Sequence, residues 1–430
     1  MIVIKGAEVV LADAAREVRG DVVITPEGAE VVAAGSATAA DEVIDATGCV
    51  LTPGLVNAHH HLLQTAFRTL PGTRHVPMAQ WLPTMAAAYA AARADPDLAA
   101  LAAAVGTAEA LLCGVTTIAD HHLTWPANVD PVALATATAG AVRDLGARLV
   151  FVRGAAGDDP ELAASSADAI AAALAPTHGG ITADGLLQVA VGPAGVHSDS
   201  AETFRLLGEV AAARGLRRRT QANEQVDVAI AAERYGRRPL ELLDEWGWLG
   251  PDVTLAHLCG VTPEEIARLA ATGTTATHAP GCDLPMGWGV APVGALLDAG
   301  VPVGLGTSGG GSNDAGHLLA DARLAMQVAP LIGRPLTARE VLRAATSGSA
   351  IGLGRPELGR LNDVCVWPVD GVADAGVADP VAGLLWAAPG RRPRDVIVAG
   401  RTVVRAGRLE RADERALAAG LEDELRRRRA

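Results

Sequence analysis

Eight short apolar runs punctuate the middle of this 430-residue chain, and helix-like stretches separate them. The runs are Leu51–Ala58, Thr116–Asp120, Arg148–Arg153, Leu187–Val191, Arg217–Asn223, Val253–His257, Thr274–His278 and Val303–Thr307. Runs of this length bounded by turn residues read as strands. The Ala-, Leu-, Glu- and Arg-rich stretches after most of them, such as Asp97–Leu112, Ala201–Ala213 and Pro263–Ala271, read as helices. Eight β/α units over about 300 residues fit a closed (β/α)8 TIM-type barrel better than an open doubly wound sheet. No Gly-x-Gly-x-x-Gly opens a helix after the first strand, which removes a dinucleotide site.

The two ends are written differently. Ile2–Ile4, Ala7–Leu11, Gly20–Ile24 and Val31–Ala34 are short apolar runs broken by Gly, Pro and charged turns, and Val364–Trp367 and Val396–Val404 repeat the style. These ends are expected to pack together as one composite β-sandwich, residues 1–53 with 357–430, beside a barrel of residues 54–356. Ala412–Arg429 reads as a terminal helix whose Arg426 to Arg429 form a solvated, frayed end.

Composition removes several functions. A formal net charge of −13 argues against nucleic acid as a partner. No run of about 18 apolar residues suggests a membrane span, and the N-terminus lacks the basic-then-apolar pattern of a signal peptide. The five cysteines (Cys49, Cys113, Cys259, Cys282, Cys365) are scattered and form no Cys-x-x-Cys pair, so neither a disulfide framework nor a zinc-thiolate site is indicated. A cytoplasmic location is expected.

In a barrel of this kind the chemistry sits at the C-terminal ends of the strands. Those ends carry His59 and His61; Asp120-His121-His122; Gln221 and Glu224; His257; His278; and Ser308. Six of the eleven histidines fall there, or seven with His60, while His75, His178, His197 and His317 lie elsewhere and receive no role. Alternation along a strand aims His59 and His61 one way and His60 the other, so two imidazoles roughly 6–7 Å apart at Cα can meet on one ion. Arg217-Arg218-Arg219 precedes Thr220, and Arg219 shares a face with Gln221. Either this guanidinium points inward, where it weakens a cation site or reads an anionic substrate group, or the arginines turn outward against helix carboxylates.

Five ordered motifs carry a resemblance along nearly the whole chain. They are Asn57-Ala58-His59-His60-His61, Leu111-Leu112-Cys113-Gly114-Val115-Thr116-Thr117, Leu255-Ala256-His257, Asp283-Leu284-Pro285-Met286-Gly287-Trp288-Gly289, and Gly304-Leu305-Gly306-Thr307-Ser308 with Gly311-Ser312-Asn313-Asp314. Together they resemble the amidohydrolase superfamily, in the branch of 8-oxoguanine deaminase and the s-triazine hydrolases. The resemblance implies a mononuclear metal held by His59, His61 and His257, with Gln221 at the position of a fourth ligand and Glu224 as the acid/base glutamate. Lys5 is the only lysine, so the carboxylated-lysine binuclear arrangement of other members is excluded. Two positions depart from the family pattern. Gln221 stands where the strand-5 motif His-x-x-Glu has histidine, and its neutral amide oxygen is a weak ligand beside imidazole. Ser308 stands where strand 8 has aspartate, and a hydroxyl is no carboxylate base near neutral pH.

The expected activity is hydrolytic displacement of an amine, halide or alkoxide from an electron-poor nitrogen heterocycle by metal-bound water. One divalent ion is expected, zinc first, with iron or manganese as alternatives. Glu224 takes and returns the proton, and His278 and His122 either orient the substrate or form the pocket wall. Gln64, Arg68, Trp81, Trp125 and Trp288 fall in loops over the barrel mouth, where an aromatic could stack on a flat ring. Arg219, Ser308, Asn313 and Asp314 complete the expected substrate contacts. The partners expected are a small heterocyclic substrate and a second copy of the chain. Gln221, Ser308 and Arg219 favour an alternative: a metal-poor or metal-free member acting as a ligand-binding protein or a non-hydrolytic catalyst.

Overall fold

The computed structural model describes residues 1–13, 16–25, 27–37, 40–347 and 362–429. Eight parallel strands close into a barrel: Leu55–His61 (β1), Val115–His122 (β2), Arg148–Ala155 (β3), Leu187–Pro193 (β4), Arg217–Ala222 (β5), Val253–His257 (β6), Thr275–His278 (β7) and Val303–Leu305 (β8). Each pairs with the next, and β8 returns to β1 through Leu305 opposite Asn57. A two-residue strand, Ser308–Gly309, extends that seam against His60 and His61. Nearly every barrel-strand residue is buried, as expected of a parallel sheet covered by helices.

Sharp helix starts keep the connections short. Asp95, Asp130 and Asp159 each accept backbone N–H groups of the first turn, and each is followed by a proline at the first helical position. Each such cap contributes about 1 kcal/mol. The helices Pro131–Leu145 and Ala201–Arg214 end on Gly146 (φ 89°) and Gly215 (φ 70°), whose left-handed conformation lets the chain turn directly into the next strand.

Strands from both ends build two further sheets. One has four strands, ordered Gly28–Val32, Asp21–Thr25, Ile2–Lys5, Glu42–Asp45. The other has seven, ordered Arg408–Leu409, Arg401–Arg405, Asp395–Val398, Val364–Pro368, Cys49–Pro53, Val9–Asp13, Arg16–Val18. Ile4, Val22 and Ile24 of the first share a core with Val10, Leu51, Val366 and Ile397 of the second. The expected boundary at residue 357 lies outside the described residues. A buried ion pair ties this unit to the barrel: Arg148, at the start of β3, donates Nε and Nη2 to Asp363 at 2.8 and 2.9 Å.

Three sequence expectations need correction. The run Leu51–Ala58 is not one strand: the chain leaves the seven-stranded sheet at Pro53 and enters the barrel at Leu55. Gly54 sits between, where an added Cβ would lie 2.1 Å from the Thr116 hydroxyl. Val396–Val404 is a hairpin, because Ala399 (φ 49°) and Gly400 (φ 71°) form a tight turn between two antiparallel strands. The C-terminal arginines are not uniformly frayed. Arg426 and Arg427 are exposed, but Arg428 is nearly buried and bonds to Ala92 O, Arg93 O and Asp95. Among the described residues no helix is long and apolar enough to cross a membrane.

The β8–β1 seam sets the first prediction. A Cβ on Gly306 would lie 2.6 Å from His59 O and 2.9 Å from His59 N, backbone atoms that cannot move aside. Gly306→Ala is expected to lower the unfolding free energy by about 1–3 kcal/mol, read from the urea midpoint. A midpoint unchanged from wild type would mean that β8 does not pack this closely on His59.

Candidate active site

The C-terminal rim of the barrel opens into a cavity of about 1020 Å³, at the top of the usual range for small-molecule sites. His61, Asp120, His121, His122, His197, Gln221 and Ser308 contribute polar lining, and Trp81, Met85, Tyr89, Trp125 and Trp288 contribute apolar wall. The wall is largely one helix, Met78–Ala92, which follows β1.

His59, Glu224 and His257 lie one layer deeper and are fully buried. The ring centroids of His59 and His61 are 4.9 Å apart, and those of His59 and His257 are 5.0 Å apart. Imidazoles bound to one tetrahedral ion through nitrogens at about 2.0–2.1 Å would have centroids roughly 5 Å apart. The hydrogen bonds agree. His61 donates Nδ1–H to His121 O at 2.7 Å, and His257 donates Nδ1–H to Asp283 Oδ1 at 2.6 Å, so each keeps an Nε2 lone pair. Nε2 of His59 and of His257 are buried without a partner, as are both carboxylate oxygens of Glu224. Glu224 Oε1 lies 3.5 Å from His257 Nε2. This donor set fits a divalent metal.

Burial governs the charges here. It holds the imidazole of His59 well below its ordinary range, with the nearby His61, His257, His121 and Arg219 adding to the effect. Burial likewise takes His61 down to about 4 and His121 to about 3. A metal ligand must be a neutral imidazole, so these shifts favour ligation. Burial also raises the Glu224 carboxyl, as a proton acceptor working near neutrality requires. His257 goes the other way: burial opposes its charging, but Asp283 and then Glu224 outweigh that and raise it.

The backbone is strained at three of these positions. Asn223 (φ 57°), His257 (φ 74°) and Ser308 (φ 54°) are all left-handed although none is glycine. They follow or end β5, β6 and β8, so the turning of the chain itself presents Glu224, His257 and Ser308 to one space.

The structure gathers most of the expected residues. Gln221 and Ser308 face the cavity; Gln64 accepts from Gly311 N at 3.0 Å on its wall. Trp81 and Trp125 anchor their indole N–H groups on Gly311 O and Gly154 O and present their rings to the cavity, and Trp288 packs edge-on against His257 at 5.1 Å. His122 lines the wall and donates Nε2–H to Thr124 O at 3.0 Å.

Four expected contacts are placed elsewhere because protein partners already hold them. Arg68 pairs with Glu109, Asn313 donates to Asp321 at 2.9 Å, and Asp314 pairs with Arg74. Arg219 does point inward, but it donates to the carbonyl of Ala58 below the cavity and is absent from the lining. His278 donates Nδ1–H to Asp283 at 3.1 Å and, like His59, Glu224 and His257, is fully buried beneath the lining, with its Nε2 unpartnered.

Sequence reading overlooked Asp283 as an individual residue, although it stands in a quoted motif five residues after His278. It also passed over His197, whose Nδ1 lies 3.2 Å from Asp227 on the cavity wall. Ligand-type atoms of His257, Cys282 and Asp283 lie within 4.8 Å of one another. That closeness is the His257–Asp283 hydrogen bond, and burial keeps the Cys282 thiol protonated, so these atoms support the site from behind.

A family model described as the amidohydrolase family matches residues 50–403. The 8-oxoguanine deaminase of Pseudomonas aeruginosa is 35% identical over 395 residues, covering 87% of this chain and 86% of that protein. A 5-methylthioadenosine/S-adenosylhomocysteine deaminase of Halobacterium salinarum is 32% identical, covering 93% of this chain and 91% of that protein. A crystal structure of a mutant atrazine chlorohydrolase from Arthrobacter aurescens TC1, complexed with zinc and atraton, superposes with a TM-score of 0.92 at 33% identity, covering 99% of this chain and 100% of that one.

Asp120 gives this site a pH signature. Its carboxyl is fully buried and pushed up to about 7 by burial, against one hydrogen bond from Leu62 N. Unfolded, it titrates at about 3.9. Between about pH 4 and pH 7 the folded chain therefore holds a proton that the unfolded chain has lost, and the group costs stability as pH rises. Asp120→Asn removes that cost. In metal-free protein its unfolding free energy, relative to wild type, should rise from pH 4 to pH 7 in urea titrations; a pH-independent difference would contradict the shift.

Proposed function

Because the chain belongs to the amidohydrolase family, we propose that it is a metal-dependent hydrolase that removes an amine from an electron-poor nitrogen heterocycle. The observation that carries this reading is the convergence of unpartnered, buried His59 Nε2, His257 Nε2 and Glu224 oxygens beside a large cavity with aromatic walls. Leaving such groups without partners costs about 1–3 kcal/mol each. The arrangement makes sense where an ion and a water meet them, and it speaks against a ligand-binding or non-hydrolytic role.

His59, His61 and His257 would hold the ion, with Gln221 facing the same space; zinc is the first choice because the superposed chlorohydrolase was solved with it. When bound, such an ion makes water acidic enough to ionise near neutral pH. Glu224 takes the proton on a carboxylate oxygen and delivers it to the departing nitrogen. Trp81, Trp125 and Trp288 offer apolar faces to a flat ring. Among the described residues Arg93 is the one guanidinium on the lining, and it is exposed, which supports an uncharged ring over a phosphorylated nucleotide. Amine is favoured as leaving group because the curated relatives are named deaminases.

The test is ammonia release from a panel of amino-substituted purines, pteridines and triazines by zinc-loaded protein. Glu224→Gln should lower kcat by about 10²- to 10⁴-fold with zinc content unchanged; a variant of undiminished activity would remove Glu224 from the proton path. Gln221→His should raise zinc occupancy of a partly filled preparation, and no gain from that start would mean that position 221 does not meet the ion.

A further inference from the structure

Asp283 is fully buried and holds two imidazoles at once. Its Oδ1 accepts from His257 Nδ1 at 2.6 Å and its Oδ2 from His278 Nδ1 at 3.1 Å. Both rings are thereby fixed with Nε2 as the lone-pair nitrogen, and the carboxylate, gripped at both oxygens, cannot rotate away.

The charges around the proposed ion are unbalanced without it. His59, His61, His257 and Gln221 bring no negative charge as ligands, and Ser308, three residues after β8, offers a hydroxyl. Glu224 is a carboxylate in reach, but its work is to cycle between protonated and ionised forms. Arg219, buried and bonded to the β1 backbone at Ala58, adds a positive charge that acts on His59. A divalent charge buried in such surroundings needs a permanent anion nearby.

We infer that Asp283 supplies, through the imidazole of His257, the negative charge that the ligand set lacks, and so sets the affinity of the site for a divalent ion. It is a positioning residue, acting through His257, and the inference rests on the metal reading of the histidine cluster. A carboxylate that accepts Nδ1–H also raises the electron density at Nε2, and losing such a partner typically costs 10- to 100-fold in metal affinity.

The test is zinc affinity of the full chain, stripped with chelator and titrated against a chromophoric competitor. Asp283→Asn keeps an acceptor for one imidazole and removes the charge, and is expected to weaken zinc binding about 10- to 100-fold. Adding Ser308→Asp to that variant returns a carboxylate to the site and should recover most of the loss. Wild-type affinity in Asp283→Asn would overturn the inference and leave the metal reading standing; a wild-type chain that takes up no zinc would overturn both. Should Asp283→Asn fail to fold by circular dichroism, nitrogen-15 histidine spectra of the zinc-loaded wild type decide. His257 is expected to retain its Nδ1 proton and bind through Nε2, and an unprotonated Nδ1 would overturn the inference.

Discussion

The active end of this barrel depends on how β8 closes onto β1. Only Leu305 and Asn57 form a regular ladder pair before the register breaks. Side chains then take over: Asn57 Oδ1 accepts from Thr307 N at 3.1 Å, and Asn57 Nδ2 donates to the Thr307 hydroxyl at 2.7 Å. His60 Nδ1 lies 3.0 Å from the same hydroxyl, so the middle histidine of the triplet is part of the seam. Its two neighbours are freed to face inward. The absence of a side chain at Gly306 lets β8 lie directly against His59, and the left-handed turn at Ser308 brings its hydroxyl over the rim. Fold closure and ligand placement are thus one constraint.

A second level of organisation is electrostatic. The buried histidines divide by what their ring nitrogens meet. His61, His121 and His122 donate to backbone carbonyls only, and burial keeps them neutral. His257 and His197 each face a carboxylate, Asp283 or Asp227. Burial opposes their charging, but those partners outweigh it, and His197 is raised to about 9. One residue type therefore supplies neutral imidazoles and, at His197, a cationic donor on the cavity wall. The difference comes from single aspartates on the helices after the strands, Asp283 in Pro280–Asp283 and Asp227 in Gln225–Tyr235, whose reach the strand pattern does not encode.

That division explains what the sequence made legible. The barrel could be read because parallel strands buried on both faces leave continuous apolar runs, and the site because polar residues break those runs at their ends. Strand-end position marks His59, His61 and His257 as candidates, and the family resemblance implies their role as ligands and that of Glu224 as acid/base. The loop residues have no such mark. Arg68, Asn313 and Asp314 lie beside the mouth, but whether such a side chain meets substrate or protein depends on sequence-distant partners such as Glu109 and Arg74. Arg219 faces inward, one of the two orientations the sequence left open, yet what it meets is the backbone of the opposite strand. Asp283 was visible only as a letter in a motif, because its value lies in accepting from two strands at once. Gly54 hid a strand break because the residues on both sides of it are equally apolar.

The chain ends, which read as an accessory unit, hold the elements that bear the site at two points. The strand Cys49–Pro53 leads into β1 through a single residue, so the position of the seven-stranded sheet fixes where the histidine triplet enters the barrel. From the other terminus, Arg428 of the helix Glu414–Arg429 grips Ala92 O at 3.0 Å and Asp95 at 2.8 Å, at the end of the helix that forms the apolar wall. This wall helix carries Pro83 and is held by side chains, Arg428 at its end and the Trp81 indole on Gly311 O, where the strands beneath it are held by ladder hydrogen bonds. Catalytic residues on rigid strand ends and recognition residues on a separately anchored helix can change independently. Members of one family that share the strand-end chemistry can therefore differ in the ring they accept.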